Sequence, residues 1–139
     1  MTVASTHRID TERYTIEEVV ALVATRPRLE LDDAVRAAIA KGSTYVAAKA
    51  AENNHIYGVN AGFGALCETR VPLANMHALQ RNLILSHACG VGDFADETTS
   101  RTTLLLKLLT FRTGNTGIST GVTDRLLDFW NHGVIPATP

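Results

Sequence analysis

Residues 103–111 read TLLLKLLTF. An amphipathic surface helix keeps its apolar residues on one stripe, whereas leucines at 104, 105, 106, 108 and 109 point to almost every side. The segment is therefore expected to be a helix surrounded by other helices. Asp96-Glu97 supplies its start, and Asn115-Thr116-Gly117 is expected to end it. A further helix then carries Val122, Leu126, Leu127, Phe129 and Trp130 before Gly133 and Pro136 close it.

Upstream, Thr15 and Glu18 have capping-box spacing, and Ile16, Val19, Val20 and Val23 form one helical face until Arg26-Pro27. This predicts a helix over 15–25. Residues 31–53 are alanine-rich, with apolar positions at Val35, Ala38, Ile39, Tyr45 and Val46, and predict a second helix that Gly42-Ser43 is expected to bend or split. A third is predicted from about Leu73 to Cys89, stopping at Gly90-Val91-Gly92. Residues 1–14 carry no period and are expected to be loose. No segment alternates as a strand should, and no repeat or low-complexity tract is present.

The fold class expected is thus all-α. Residues 15–139 form one helical segment, and five helices are too few to surround one of their own, so more protein is expected to pack against this chain.

Between the second and third helices lies HIYGVNAGFGALCETRV, residues 55–71. A linker is polar and solvated. This segment is apolar and aromatic, with glycines at 58, 62 and 64 that permit an unusual backbone path, which predicts an ordered loop.

Composition narrows the function. With 45% hydrophobic and 19% charged residues and a net charge of −1, the chain offers no field to attract nucleic acid or an anionic membrane. Cys67 and Cys89 make no disulfide framework and are expected to be packed small apolar residues in a cytoplasmic protein. The N-terminus lacks a signal-peptide core, and Lys107 interrupts the most apolar run, so neither secretion nor membrane insertion is expected. The glycine loop has neither a P-loop lysine nor dinucleotide-fingerprint spacing. The five histidines show no metal-ligand spacing, so no metal site is expected. No GxSxG elbow is present.

Tyr57 in the glycine loop and the Ser86-His87 pair near the end of the third helix are left as candidates. Taken alone, a packed aromatic with a satisfied hydroxyl is the commoner tyrosine, and a helix histidine with a satisfied ring the commoner histidine. The sharper reading makes Tyr57 an acid or base. Free tyrosine titrates near 10, so ionising it at pH 7 costs about 4 kcal/mol, which a site must supply through hydrogen bonds or positive charge.

Read together, YGVNAGFG at 57–64, LQRNLILSHACGVG at 79–92 and the closing NHGVIPATP resemble the aromatic amino-acid ammonia-lyase and aminomutase family, which includes histidine ammonia-lyase. The match is ordered and collinear, and runs from about residue 15 to the last. It implies a helical homotetramer acting on a small aromatic amino acid, with active sites shared between subunits. It also implies a 4-methylidene-imidazol-5-one (MIO) electrophile made from an internal Ala-Ser-Gly. This chain has no Ala-Ser-Gly, so the triad is expected beyond Pro139, in a longer polypeptide with which the chain would be active.

Carried over residue by residue, the resemblance makes Tyr57 the base that removes the substrate's β-proton. It places Gly64 in the pocket lining, where a side chain would intrude, and makes Ser86 and His87 the pair that faces the substrate ring. A Ser-His pair separates polar rings from phenyl better than imidazole from phenol. The activity implied is elimination of ammonia from L-histidine to give urocanate. Tyrosine ammonia-lyase and aromatic amino-acid 2,3-aminomutase are the nearest alternatives, and a non-catalytic helical interaction module is the alternative of another class. Ala61 stands where the family more often has threonine.

Overall fold

A computed structural model of the chain describes residues 5–52 and 56–139. Their elements run β1 (Thr6–Ile9), α1 (Ile16–Thr25), β2 (Arg28–Leu31), α2 (Asp33–Ala51), α3 (Met76–His87), α4 (Glu97–Phe111) and α5 (Thr120–Asn131), with short 3-10 turns at Gly64–Leu66 and Leu73–Asn75. The chain divides into two compact units, one of residues up to Ser43 together with Asp93–Pro139, the other Thr44–Gly92. The division falls within α2.

In the first unit, Thr15 caps α1 as its spacing predicts. Its hydroxyl accepts from the Glu18 amide at 3.2 Å, and the Glu18 carboxylate accepts from the Thr15 amide at 2.7 Å. Arg26 ends the helix in the left-handed region at φ 51°, and Pro27 prevents continuation. The chain is thereby returned to lay β2 parallel to β1, Thr6 opposite Arg28 and Ile9 opposite Leu31.

This pairing corrects two expectations. Of the stretch 1–14 expected to be loose, residues 1–4 lie outside the described residues and the rest is not wholly so, because β1 occupies 6–9, Ile9 is fully buried, and β1 and β2 make a small sheet beside the helices. Leu31, expected to open the second helix, ends β2 instead. Each strand has four residues, too few to register a period. In RLEL, Leu29 and Leu31 face the core while Arg28 and Glu30 face out.

Asn131 completes the sheet. Its side-chain carbonyl accepts from the Leu29 amide at 2.8 Å and its amide donates to the Leu29 carbonyl at 2.9 Å, so one side chain serves the open edge of β2 as a third strand would. Beside it the Trp130 indole donates to the Pro27 carbonyl at 2.8 Å.

The α2 helix is unbroken at Gly42. Glycine serves a crossing there, since a Cβ on Gly42 would run into the carbonyl of Gly114 in the turn after α4. The α4 helix ends at Phe111, short of the predicted Asn115. It buries Leu104, Leu105, Leu108 and Leu109 in the unit's core, while Leu106 stays 48% exposed. Arg101 of α4, its side chain only 7% exposed, donates to Glu97 at 2.7 Å and lies over the Trp130 ring. Arg26 shares the same carboxylate at 3.2 Å. The hydrogen bond from Arg101, with the charge of Arg26 behind it, holds the Glu97 carboxyl below its ordinary range.

In the second unit the loop after residue 55 is ordered, as its composition predicts. Ala61 bridges antiparallel to Arg70, Gly62 N–H donates to the Thr69 carbonyl at 3.0 Å, and Val71 N–H donates to the Asn60 carbonyl at 3.0 Å. The α3 helix starts at Met76, after the 3-10 turn that takes up Leu73–Asn75. It buries no residue among those described, and Ile84 and Leu85 are exposed.

Candidate functional site

All four residues singled out from the sequence lie in the second unit, Tyr57 and Gly64 on the loop and Ser86 and His87 at the C-terminal end of α3. Tyr57 is not a packed core aromatic within this chain. It is 62% exposed, and its hydroxyl has no hydrogen-bond partner among the described residues. Its ring meets Phe63 edge-on, with centroids 5.8 Å apart at 74°.

The turn bearing Tyr57 is closed from inside. Val59 and Asn60 N–H both donate to the Ile56 carbonyl at 3.1 Å, and the Asn60 side-chain carbonyl accepts from the Ile56 amide at 2.8 Å. Asn60 is 2% exposed. Gly64 opens the 3-10 turn with φ +55°, a conformation that favours glycine. A Cβ there would meet nothing within 4 Å, so within this chain the backbone angle, and not crowding, accounts for the glycine.

Ser86 and His87 are adjacent on α3, yet their side chains meet. Ser86 Oγ lies 2.9 Å from His87 Nδ1, and each lies 3.0 Å from the Leu83 carbonyl oxygen. A carbonyl only accepts, so both neighbours must bring it a proton. Ser86 O–H then donates to Leu83, while His87 Nδ1–H is shared between the Leu83 carbonyl and Ser86 Oγ. That assignment leaves the Nε2 of a neutral His87 ring as a lone-pair acceptor on an exposed side chain. A group offering an N–H or O–H fits such an acceptor; a hydrocarbon ring does not.

No hydrogen bond or ring contact joins Tyr57 to the Ser86-His87 pair among the described residues. Cys67 is half-buried, but Cys89, expected to be packed, is exposed beside the end of α3. Among the described residues no group of three or more histidine, cysteine or acidic side chains is arranged to hold a metal, and no helix is long and apolar enough to cross a membrane.

Sequence reasoning missed Asn60 and Phe63. Both lie inside the quoted YGVNAGFG, and the available signal was a polar residue in an otherwise apolar loop, which must find partners if buried.

Comparison with known proteins gives this arrangement its context. The family described as "Aromatic amino acid lyase" matches residues 14–139. The chain is similar to histidine ammonia-lyase of Aromatoleum aromaticum, 39% identical over 127 residues that are 91% of this chain and 24% of that protein. In structure it is similar to tyrosine aminomutase from Streptomyces globisporus, at 28% identity and a TM-score of 0.87 over 99% of this chain and 26% of that one. Ergothionase from Treponema denticola, solved with desmethyl-ergothioneine sulfonic acid, gives 26% identity and a TM-score of 0.89 over 96% of this chain and 27% of that one. The chain spans about a quarter of the length of the curated relatives it matches. A profile match over nearly the whole chain, with the helical architecture of these lyases and aminomutases, shows that the chain belongs to the aromatic amino acid lyase family.

Proposed function

We infer that this chain works within a longer polypeptide, a cytoplasmic homotetramer, that eliminates ammonia from an aromatic L-amino acid, L-histidine before others, giving urocanate. The observation that carries this reading is the lock on His87, which turns an acceptor outward in a chain whose curated relatives include histidine ammonia-lyases.

In this reading His87 Nε2 accepts a hydrogen bond from the substrate ring, and the Leu83 carbonyl keeps the imidazole in that tautomer while Ser86 steadies it. Tyr57 is the base that takes the β-proton on its phenol oxygen. The Cβ–H electrons form the Cα=Cβ bond, the Cα–N bond breaks, and nitrogen leaves as ammonia. An exposed phenol with no partner among the described residues is free to approach a substrate carbon. Gly64 lines the same pocket, and the open space at its Cα leaves room for what it faces.

The chain's residues fit an MIO group as its surroundings and not as its source, since no Ala-Ser-Gly is present and the exposed Tyr57 hydroxyl has no partner among the described residues. When bound, that group supplies an electrophile that makes the amine a better leaving group. The same acceptor suits a phenol, so a tyrosine lyase or aminomutase is the second reading, favoured by the likeness to tyrosine aminomutase.

The test is to supply the complete enzyme with L-histidine, L-tyrosine and L-phenylalanine, and to measure ammonia and identify the product. Urocanate from histidine is expected. A β-amino acid from tyrosine would favour the second reading. No turnover of any of them, and no imidazolone absorbance in the assembly, would leave a helical interaction module.

A further inference from the structure

We propose that Asn60 is the positioning residue for Tyr57, fixing through its side chain the direction in which the phenol leaves the loop. The proposal rests on the reading of Tyr57 as the base.

An exposed side chain is not aimed by burial. Among the described residues Tyr57 meets the ring edge of Phe63 and leaves most of its surface uncovered, so within this chain its direction comes from the backbone beneath it. That backbone is a short arc between Ile56 and Asn60, and Asn60 closes it twice and anchors it once. Its N–H reaches the Ile56 carbonyl at 3.1 Å, its side-chain oxygen takes the Ile56 amide at 2.8 Å, and its own carbonyl takes Val71 N–H at 3.0 Å. The first two bonds shut the arc, and the third ties it to the returning chain, where Ala61 bridges to Arg70.

The bond from the Ile56 amide to the Asn60 side-chain oxygen is one that a substitution can remove. It joins residues four apart and spans Tyr57, so its loss frees the start of the arc while the end stays anchored. Asn60 is 2% exposed and its bond to the Ile56 amide is part-buried, so losing that acceptor leaves the amide poorly satisfied and loosens the turn. Displacing a reacting group by about 1 Å costs about 10²-fold in rate, and this is the scale of effect expected.

The test uses the complete enzyme. Asn60→Ala is expected to lower kcat by about 10- to 100-fold while KM stays within about threefold, as for loss of a group that acts at the transition state. Asn60→Asp keeps an acceptor at the same reach and is expected to recover kcat to within about threefold of wild type, whereas Asn60→Gln, its acceptor one methylene too far, stays at least about tenfold down. The Asp and Gln variants decide the matter if the alanine variant does not fold; equal kcat for the two overturns the proposal.

A double-mutant cycle separates this proposal from the one beneath it. In a Tyr57→Phe background, Asn60→Ala is expected to cost less than about threefold more, because the group it aims is gone. If the two losses multiply, Asn60 acts through something other than Tyr57 and positioning is wrong. If Tyr57→Phe alone leaves kcat intact, the base assignment is what fails.

Discussion

Replacing Tyr57 by phenylalanine in the complete enzyme separates chemistry from structure sharply, because the structural loss is bounded by one hydrogen bond. The hydroxyl has no hydrogen bond to give up among the described residues, and the edge contact with Phe63 is made by the ring, which the substitution keeps. A packed tyrosine forfeits at most a bond worth about 0.5 to 1.5 kcal/mol, so folding and assembly are expected to survive the change. Loss of a general base costs about 10²- to 10⁴-fold, about 3 to 5 kcal/mol in the barrier, and an unactivated β-proton puts the effect at the upper end. The assay is kcat for ammonia release under saturating substrate, with substrate binding and imidazolone absorbance measured alongside. A variant that binds substrate, keeps the chromophore and retains more than about a tenth of wild-type kcat would refute the assignment, since that exceeds what loss of a base permits.

Substituting His87→Phe removes the outward acceptor, so the kcat/KM ratio of L-histidine to L-phenylalanine should fall by up to about 10⁴, the discrimination available to a site built to hydrogen-bond a ring; an unchanged ratio would return His87 to a packing role. Asn131→Ala unpairs the Leu29 amide and carbonyl together, each costing about 1 to 3 kcal/mol when buried, so a loss of about 2 to 4 kcal/mol is expected where water partly compensates. Urea unfolding followed by the fluorescence of Trp130, the chain's single tryptophan and 4% exposed, should show a lower midpoint at unchanged slope. Glu97 and Asp96 are both held below the ordinary carboxyl range, by the Arg101 hydrogen bond and by the Thr99 amide respectively. Depressed carboxyls contribute stability that is present above their unfolded pKa and lost as pH falls through the folded one, so the midpoint should drop on the acid side of about pH 4, and Glu97→Gln should flatten that drop.

Features of the chain carried by neighbouring residues were legible in the sequence. Thr15 and Glu18 announce the start of α1 because both halves of a capping box lie within one turn, and the aromatic, glycine-bearing loop around Tyr57 declares its order by composition. What escaped depends on residues far apart or on bonds that exist only in the folded turn or helix end. The partner of β1 lies 22 positions on, and the edge of β2 is served by Asn131, 102 residues from Leu29. Asn60 could be read as a polar residue in an apolar loop but not as a clasp, because the bond to Ile56 exists only once the turn has formed. The tautomer of His87 likewise follows from the convergence of Ser86 and the Leu83 carbonyl on one ring nitrogen, which helical spacing alone does not reveal.

One of the two atoms that hold His87 Nδ1 belongs to the main chain, and this limits how such a site can drift. Replacing Ser86 changes how firmly the imidazole is gripped, but the Leu83 carbonyl remains wherever α3 keeps its last turn, and it continues to demand a proton from the same nitrogen. Small changes around the ring therefore adjust strength without reversing which atom is offered. Reversal requires losing the histidine or unwinding the helix end. A lineage built on this arrangement is expected to change the ring it prefers in jumps, with few intermediate specificities between them.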